Sequence, residues 1–135
     1  MLKLIIGVKG TGKTKNLINL VNTAVENSQG DVVCIEKGPK LRYDVKYKAR
    51  LIDTNEYFVA DAQSLYGFIA GILASNHDVT DLFVDSALKI CNNDIAAFDA
   101  FVDEVNALSA KLNVKVVMTS SIPVDEASET VKKYL

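Results

Sequence analysis

The chain has 135 residues, 49% of them hydrophobic, the size and composition of a single domain with one sizeable core. A net charge of −2 and a pI near 5.3 give no global attraction to nucleic acid or to an acidic membrane, so a polyanion site has to be local. The N-terminal apolar run is too short for a secretion signal, and the longest uncharged stretch, 62–76, carries Gly, Ser and Gln and falls short of a membrane span.

The expectation is one cytoplasmic domain over residues 1–135. Cys34 and Cys91 lack metal-type spacing and read as reduced core residues, and His77, in a turn-like stretch, is assigned no chemistry.

Residues 2–6 read as a buried strand that breaks at Gly7-Val8-Lys9-Gly10-Thr11-Gly12-Lys13-Thr14, a match to G-x-x-x-x-G-K-[ST]. Glycines at 10 and 12 can take backbone angles closed to other residues, so consecutive N–H groups turn inward at a helix start and form a nest for phosphate. Lys13 then places a charge on the outer phosphate oxygens, and the Thr14 hydroxyl completes a Mg²⁺ shell that a nucleotide mostly supplies itself. Lys9 is either a further cation at the rim or a solvated turn lysine. The following helix runs from Lys13 to about Asn27, with Leu17, Leu20, Val21, Ala24 and Val25 at helical spacing.

Val32 to Ile35 is a short β-branched run, read as a buried parallel strand with Glu36 at its C-terminal end. Strand ends on that edge of an open α/β sheet line the ligand crevice, which makes Glu36 a candidate catalytic carboxylate as well as a solvated loop acid. Residues 37–50 hold six basic residues, Lys37, Lys40, Arg42, Lys46, Lys48 and Arg50, against Asp44; the net +5 leaves −7 for the remainder. Leu41, Tyr43, Val45, Tyr47 and Ala49 alternate with polar residues there, the period of a half-buried strand or an extended flap. A solvated edge guarded by lysines ranks first for this stretch, an arginine acting on a neighbouring copy second, and nucleic acid third because the remaining surface is acidic.

Leu51 to Asp53 is a further short strand, and Asp61 to about Asn76 a helix with Leu65, Phe68, Ile69, Ile72 and Leu73 on one face, where Gly67 and Gly71 would allow close packing on the sheet. Leu82-Phe83-Val84 is an apolar strand ending in Asp85. After a phosphate-binding loop that acid is expected to hold Mg²⁺ through water, the alternative being an Asp that caps a turn. A long amphipathic helix from about Asn93 to Leu112 follows, carrying Ile95, Phe98, Phe101, Val102, Val105 and Leu108, then a strand from Val114 to Met118. Thr119, Ser120 and Ser121 at its end fit either γ-phosphate sensing or an ordinary turn. Pro123, Asp125 and Glu126 open a last helix that Lys132 and Lys133 close.

Strands alternating with helices imply a three-layer α/β/α domain around a mainly parallel sheet of about five strands. With Gly7 to Thr14, Glu36 and Val84-Asp85-Ser86 in place, the chain resembles the P-loop NTPase superfamily and, within it, the RecA-like ATPase group. The resemblance implies ATP and Mg²⁺, with a glutamate at the Glu36 position polarising the attacking water and a polar residue near Thr119 to Ser121 reporting the γ-phosphate. The chain also looks like short stand-alone proteins labelled as twitching-motility or pilus-retraction ATPases, without their additional N-terminal domain and histidine-containing motif. Residues 86–113 are nearly filled by one helix, leaving no room for the long DNA-binding loops of recombinases. The expected function is ATP binding with slow Mg²⁺-dependent hydrolysis; a small-molecule or nucleoside kinase, needing Arg42 or Arg50 as a lid, and a non-catalytic nucleotide-sensing module are the alternatives. A second copy of the chain or another protein is the partner class left open.

Overall fold

The apolar runs separated by helical spacing fold in a computed structural model, described over residues 2–135, as five parallel strands with intervening helices. Strands β1 (Leu2–Gly7), β2 (Asp31–Glu36), β3 (Arg50–Asp53), β4 (Val79–Val84) and β5 (Lys115–Ser121) lie in the order β1-β5-β4-β2-β3. Every ladder is parallel, with Ile6 beside Ser120, Val84 beside Met118 and Ile35 beside Val84. Helices α1 (Lys13–Asn27), α2 (Ala62–Ser75), α3 (Ala87–Ile90), α4 (Ile95–Leu112) and α5 (Glu129–Lys132) supply the outer layers. Among the described residues no helix is long and apolar enough to cross a membrane.

The strands are apolar on both faces, and successive side chains alternate between two cores. Val33, Ile35, Leu82, Val84, Val116 and Met118 pack with Leu65 and Ile69 of α2 and with Phe98, Phe101 and Val105 of α4. Val32, Cys34 and Phe83 point the other way, onto Leu17 and Val21 of α1. Both cysteines are free and buried, and burial pushes each thiol up to about 12, which makes them inert packing groups.

The basic stretch departs from the strand or flap expected of it. Residues 37–49 form successive turns, and the apolar residues that go inside are every fourth one, Leu41, Val45 and Ala49, which complete the α1 side of the sheet beside β2. Tyr43 and Tyr47 stand out in solvent at 85% and 91% exposure. Turn hydrogen bonds from Val45 N to Leu41 O and from Ala49 N to Lys46 O, both 3.0 Å, set that period, and no ladder partner is needed.

Three smaller corrections follow from packing. Gly67 and Gly71 are exposed, with open space where a Cβ would stand, so they do not mediate approach to the sheet; Ala62, Leu65, Ile69 and Leu73 make that contact. Residues 86–113 hold two helices, because left-handed Asn92 and Asn93 end the short α3 before Asp94 caps α4. The last helix is likewise divided: a 3₁₀ turn over Val124–Glu126 stops at buried, extended Ala127, and Ser128 caps α5 by accepting from Val131 N at 3.1 Å. The C-terminal residues then close the edge of β1, where Leu4 N donates to Tyr134 O at 2.8 Å.

Candidate functional site

The segment from Gly7 to Thr14 links the C-terminal end of β1 to the first turn of α1. A Cβ at Gly7 would meet Thr11 Oγ1 at 2.7 Å, so a larger residue there would displace the Thr11 hydroxyl. Gly12 is required by conformation, since it stands at the N-cap of α1 with φ +84° and offers no side chain to the first-turn N–H groups. The loop is braced from within, with Thr11 Oγ1 donating to Val8 O at 2.7 Å and Lys13 Nζ to the same carbonyl at 2.9 Å. The result is a helix N-terminus whose donors are uncapped and whose nearest mobile cation is held across the loop mouth.

β5 lies between β1 and β4, and this strand order brings the loop and Asp85 to one edge of the sheet. Asp85 follows β4 directly and is 3% exposed, with its N–H donating to Ile35 O at 2.8 Å. The Thr14 hydroxyl donates to its carboxylate, 3.1 Å from Oδ1 and 3.3 Å from Oδ2. Thr119 donates to Oδ1 at 2.7 Å and accepts from Ser86 N at 2.8 Å, so one hydroxyl fixes both the acid and the left-handed turn after it. No ion pair among the described residues involves Asp85. This buried carboxylate, held by the hydroxyls of Thr14 and Thr119, presents hard oxygen donors of the kind that suit Mg²⁺. A dedicated cage is absent, since no group of three or more His, Cys, Asp or Glu gathers among the described residues. Magnesium does not need one, because it keeps waters and takes phosphate oxygens from its ligand.

Glu36 sits beside Asp85 at the end of the neighbouring strand but is occupied. It is 2% exposed, Oε1 accepts from Lys40 N at 3.0 Å and Leu41 N at 3.2 Å, and Oε2 has a longer 3.4 Å contact with Leu41 N. Burial pushes its carboxyl above the ordinary carboxylate range, the two backbone donors pull it back in part, and the Asp53 and Asp85 charges push it up again.

A cavity of about 470 Å³ opens over the loop, lined by Lys9, Gly10, Gly12, Lys13 and Thr14 together with Lys15, Lys40, Ser86, Lys89 and Asn93. Five lysines and no carboxylate on its wall make it an anion pocket. Lys40, Lys89 and Asn93 were not legible as pocket residues, because their positions depend on the turn after Glu36 and on the undetected α3. Thr119 and Ser120 line the same cavity but are buried and engaged, Ser120 Oγ accepting from Leu88 N at 3.1 Å, and Ser121 is the exposed hydroxyl of the three. Arg42 and Arg50 do not line the pocket; Arg42 stacks on the Tyr43 ring, 4.9 Å from its centroid.

Comparison with known proteins identifies the fold. No family model matches the chain, and no curated protein sequence matches it. Among solved structures it resembles a KaiC-like protein from the hyperthermophilic archaeon Pyrococcus horikoshii OT3, with a TM-score of 0.66 at 15% identity, over 98% of this chain and 66% of that one. The chain therefore shares that structure's α/β fold, a five-stranded parallel sheet flanked by helices, and spans about two thirds of that structure's length.

Proposed function

We propose that this chain is a small RecA-like member of the P-loop NTPases that binds ATP with Mg²⁺ and hydrolyses it slowly in the cytoplasm. The observation that carries the reading is the meeting of Thr14 with the buried Asp85, beside a cavity whose charged lining residues are lysines. Each half is a common motif; joined at one sheet edge they make a place for a metal-bound polyphosphate.

In this reading the N–H groups of residues 8–14 bind phosphate, and Lys13 exchanges its Val8 carbonyl for phosphate oxygens. Thr14 and Asp85 would hold Mg²⁺, while Thr119 keeps the Asp85 carboxylate aimed. The metal supplies charge neutralisation at the transferring phosphoryl group. Glu36 orients the attacking water through Oε2, the oxygen less committed to the backbone. Lys9 adds potential at the rim.

Glu36 also favours a second reading. A carboxylate that already grips two backbone N–H groups of the following loop serves as a structural tie, which suits a nucleotide-sensing module that reports its state to a partner rather than turning over. The kinase alternative finds less support, since neither arginine faces the pocket. A phosphate-release assay separates these: steady Mg²⁺-dependent release from ATP alone supports hydrolysis, release only with an added acceptor supports a kinase, and binding without release supports the sensor.

A further inference from the structure

We propose that the basic segment 41–48 is a binding platform for single-stranded nucleic acid, with Tyr43 and Tyr47 as stacking surfaces and Arg42 and Lys48 as phosphate contacts. Composition alone ranks nucleic acid last for this stretch. The placement of the two rings reverses that ranking.

A tyrosine at 85% or 91% exposure is unremarkable on a loose tail, but this segment is tied down. Leu41, Val45 and Ala49 are buried beneath it against α1 and the sheet. Asn22 of α1 grips it from the side, its Nδ2 donating to Asp44 O and its Oδ1 accepting from Lys46 N, both at 2.9 Å. Glu36 holds the first turn at Lys40 and Leu41, and Lys46 pairs with Glu26. The intervening residues, Arg42, Tyr43, Asp44, Lys46, Tyr47 and Lys48, are thereby displayed outward in a fixed order, three cations and two rings around one acid, so little further ordering is required when they engage a ligand.

The ligand such a surface fits carries flat π-faces at intervals along a negatively charged backbone. A base stacks on an aromatic ring whatever its identity, and arginine already lies over one of the two rings. Tyr47 borders a cleft of about 410 Å³ whose walls are Val25, Glu26, Lys46 and Lys48; Glu26 is paired with Lys46, which leaves Val25 and Lys48 as the apolar and cationic neighbours of an inserted base. Duplex is excluded as the preferred form because its base faces are hidden in the stack. A protein partner fits less well, since lysine is depleted at the core of protein interfaces and here lysines flank Tyr47 on both sides. The acidic remainder of the chain does not forbid binding: charges farther away than a Debye length, about 8 Å at physiological ionic strength, are largely screened, and the segment's own Arg42, Lys46 and Lys48 outnumber its one acid, Asp44.

The test is fluorescence anisotropy of a labelled oligothymidylate with the full chain, titrated across salt concentrations and repeated with a duplex of the same length. The platform predicts single-strand binding that is tighter than duplex binding and weakens steeply with salt. Tyr43→Ala with Tyr47→Ala should lower affinity at least about fivefold without changing the salt slope, and Tyr43→Phe with Tyr47→Phe should retain it. Arg42→Gln with Lys48→Gln should flatten the slope by about one for each charge removed. These side chains are exposed, so an unchanged thermal midpoint in each variant serves as the fold control. Absence of binding at low salt, or equal affinity in the parent and the double Ala variant, overturns the proposal. So does a concentration-dependent dimer in sedimentation that the same Ala substitutions abolish while no oligonucleotide binds, which would assign the surface to a second copy of the chain.

Discussion

The Thr14 hydroxyl stands 3.1 and 3.3 Å from the two carboxylate oxygens of Asp85, across 71 residues of sequence. That contact joins the end of β4 to the start of α1, and it exists because β5, which carries Thr119, lies between the strands that lead to them. In the proposed nucleotide site this contact implies a division of labour in which Asp85 would act on the metal and hardly at all on the nucleotide.

Asp85→Asn should therefore reduce the Mg²⁺-dependent gain in ATP affinity by about 10- to 100-fold, the usual cost of losing an outer-shell carboxylate. In EDTA the same variant should bind ATP as well as the parent or better, since a negative charge has left the phosphate site. Titrations with and without Mg²⁺ check this; an equal loss in both conditions would make Asp85 a structural acid.

Glu36→Gln tests the proposed role of Glu36 in orienting water. ATP affinity should hold while phosphate release falls by at least about tenfold, within the range of a general base. Unchanged release would leave Glu36 as the tie of the 37–41 turn.

The same substitution carries a stability signature. Burial raises the folded-state pKa of Glu36 above its ordinary 4.5, so the folded chain holds that proton more tightly than the unfolded one. Stability from this group is fully present below about 4.5 and is lost as pH rises through the folded value. The Glu36→Gln chain lacks that loss, and its midpoint relative to the parent should climb with pH above 4.5 in thermal melts. Parallel curves would mean that the backbone donors fully offset the burial.

The core under the basic segment should be sensitive in a four-residue rhythm. Leu41→Ala, which empties a buried site, should cost about 2–5 kcal/mol in chemical denaturation. Tyr43→Ala, two residues away, should stay within about 0.5 kcal/mol, as exposed substitutions do. Comparable costs at both positions would restore the alternating strand.

That contrast also marks where sequence reasoning runs out. The α/β alternation was legible because the strands are short β-branched runs and α1, α2 and α4 carry apolar faces at three- and four-residue spacing. Gly7 to Thr14, Glu36 and Asp85 were legible because the chemistry of a phosphate loop and of strand ends fixes residue types at fixed places. Residues 41–49 were not, since Leu41, Val45 and Ala49 fall within both a two-residue and a four-residue period, and counting tyrosine as apolar selects the wrong one. The part played by Thr119 needs the strand order, which no local pattern encodes. Likewise α3 is four residues long, too short for periodicity, and it sets one wall of the pocket.

The most direct measurement is a calorimetric titration of ATP-Mg²⁺ into the parent chain and into Lys13→Ala. Loss of one charge-assisted contact should weaken binding by about 1.5–3 kcal/mol, with the circular dichroism spectrum unchanged because the Lys13 ammonium bonds a loop carbonyl, that of Val8, and no helix or strand partner among the described residues. Saturable binding to the parent with that loss in the variant is the predicted result. Equal affinity in the two chains, or no binding to the parent, would contradict the nucleotide site.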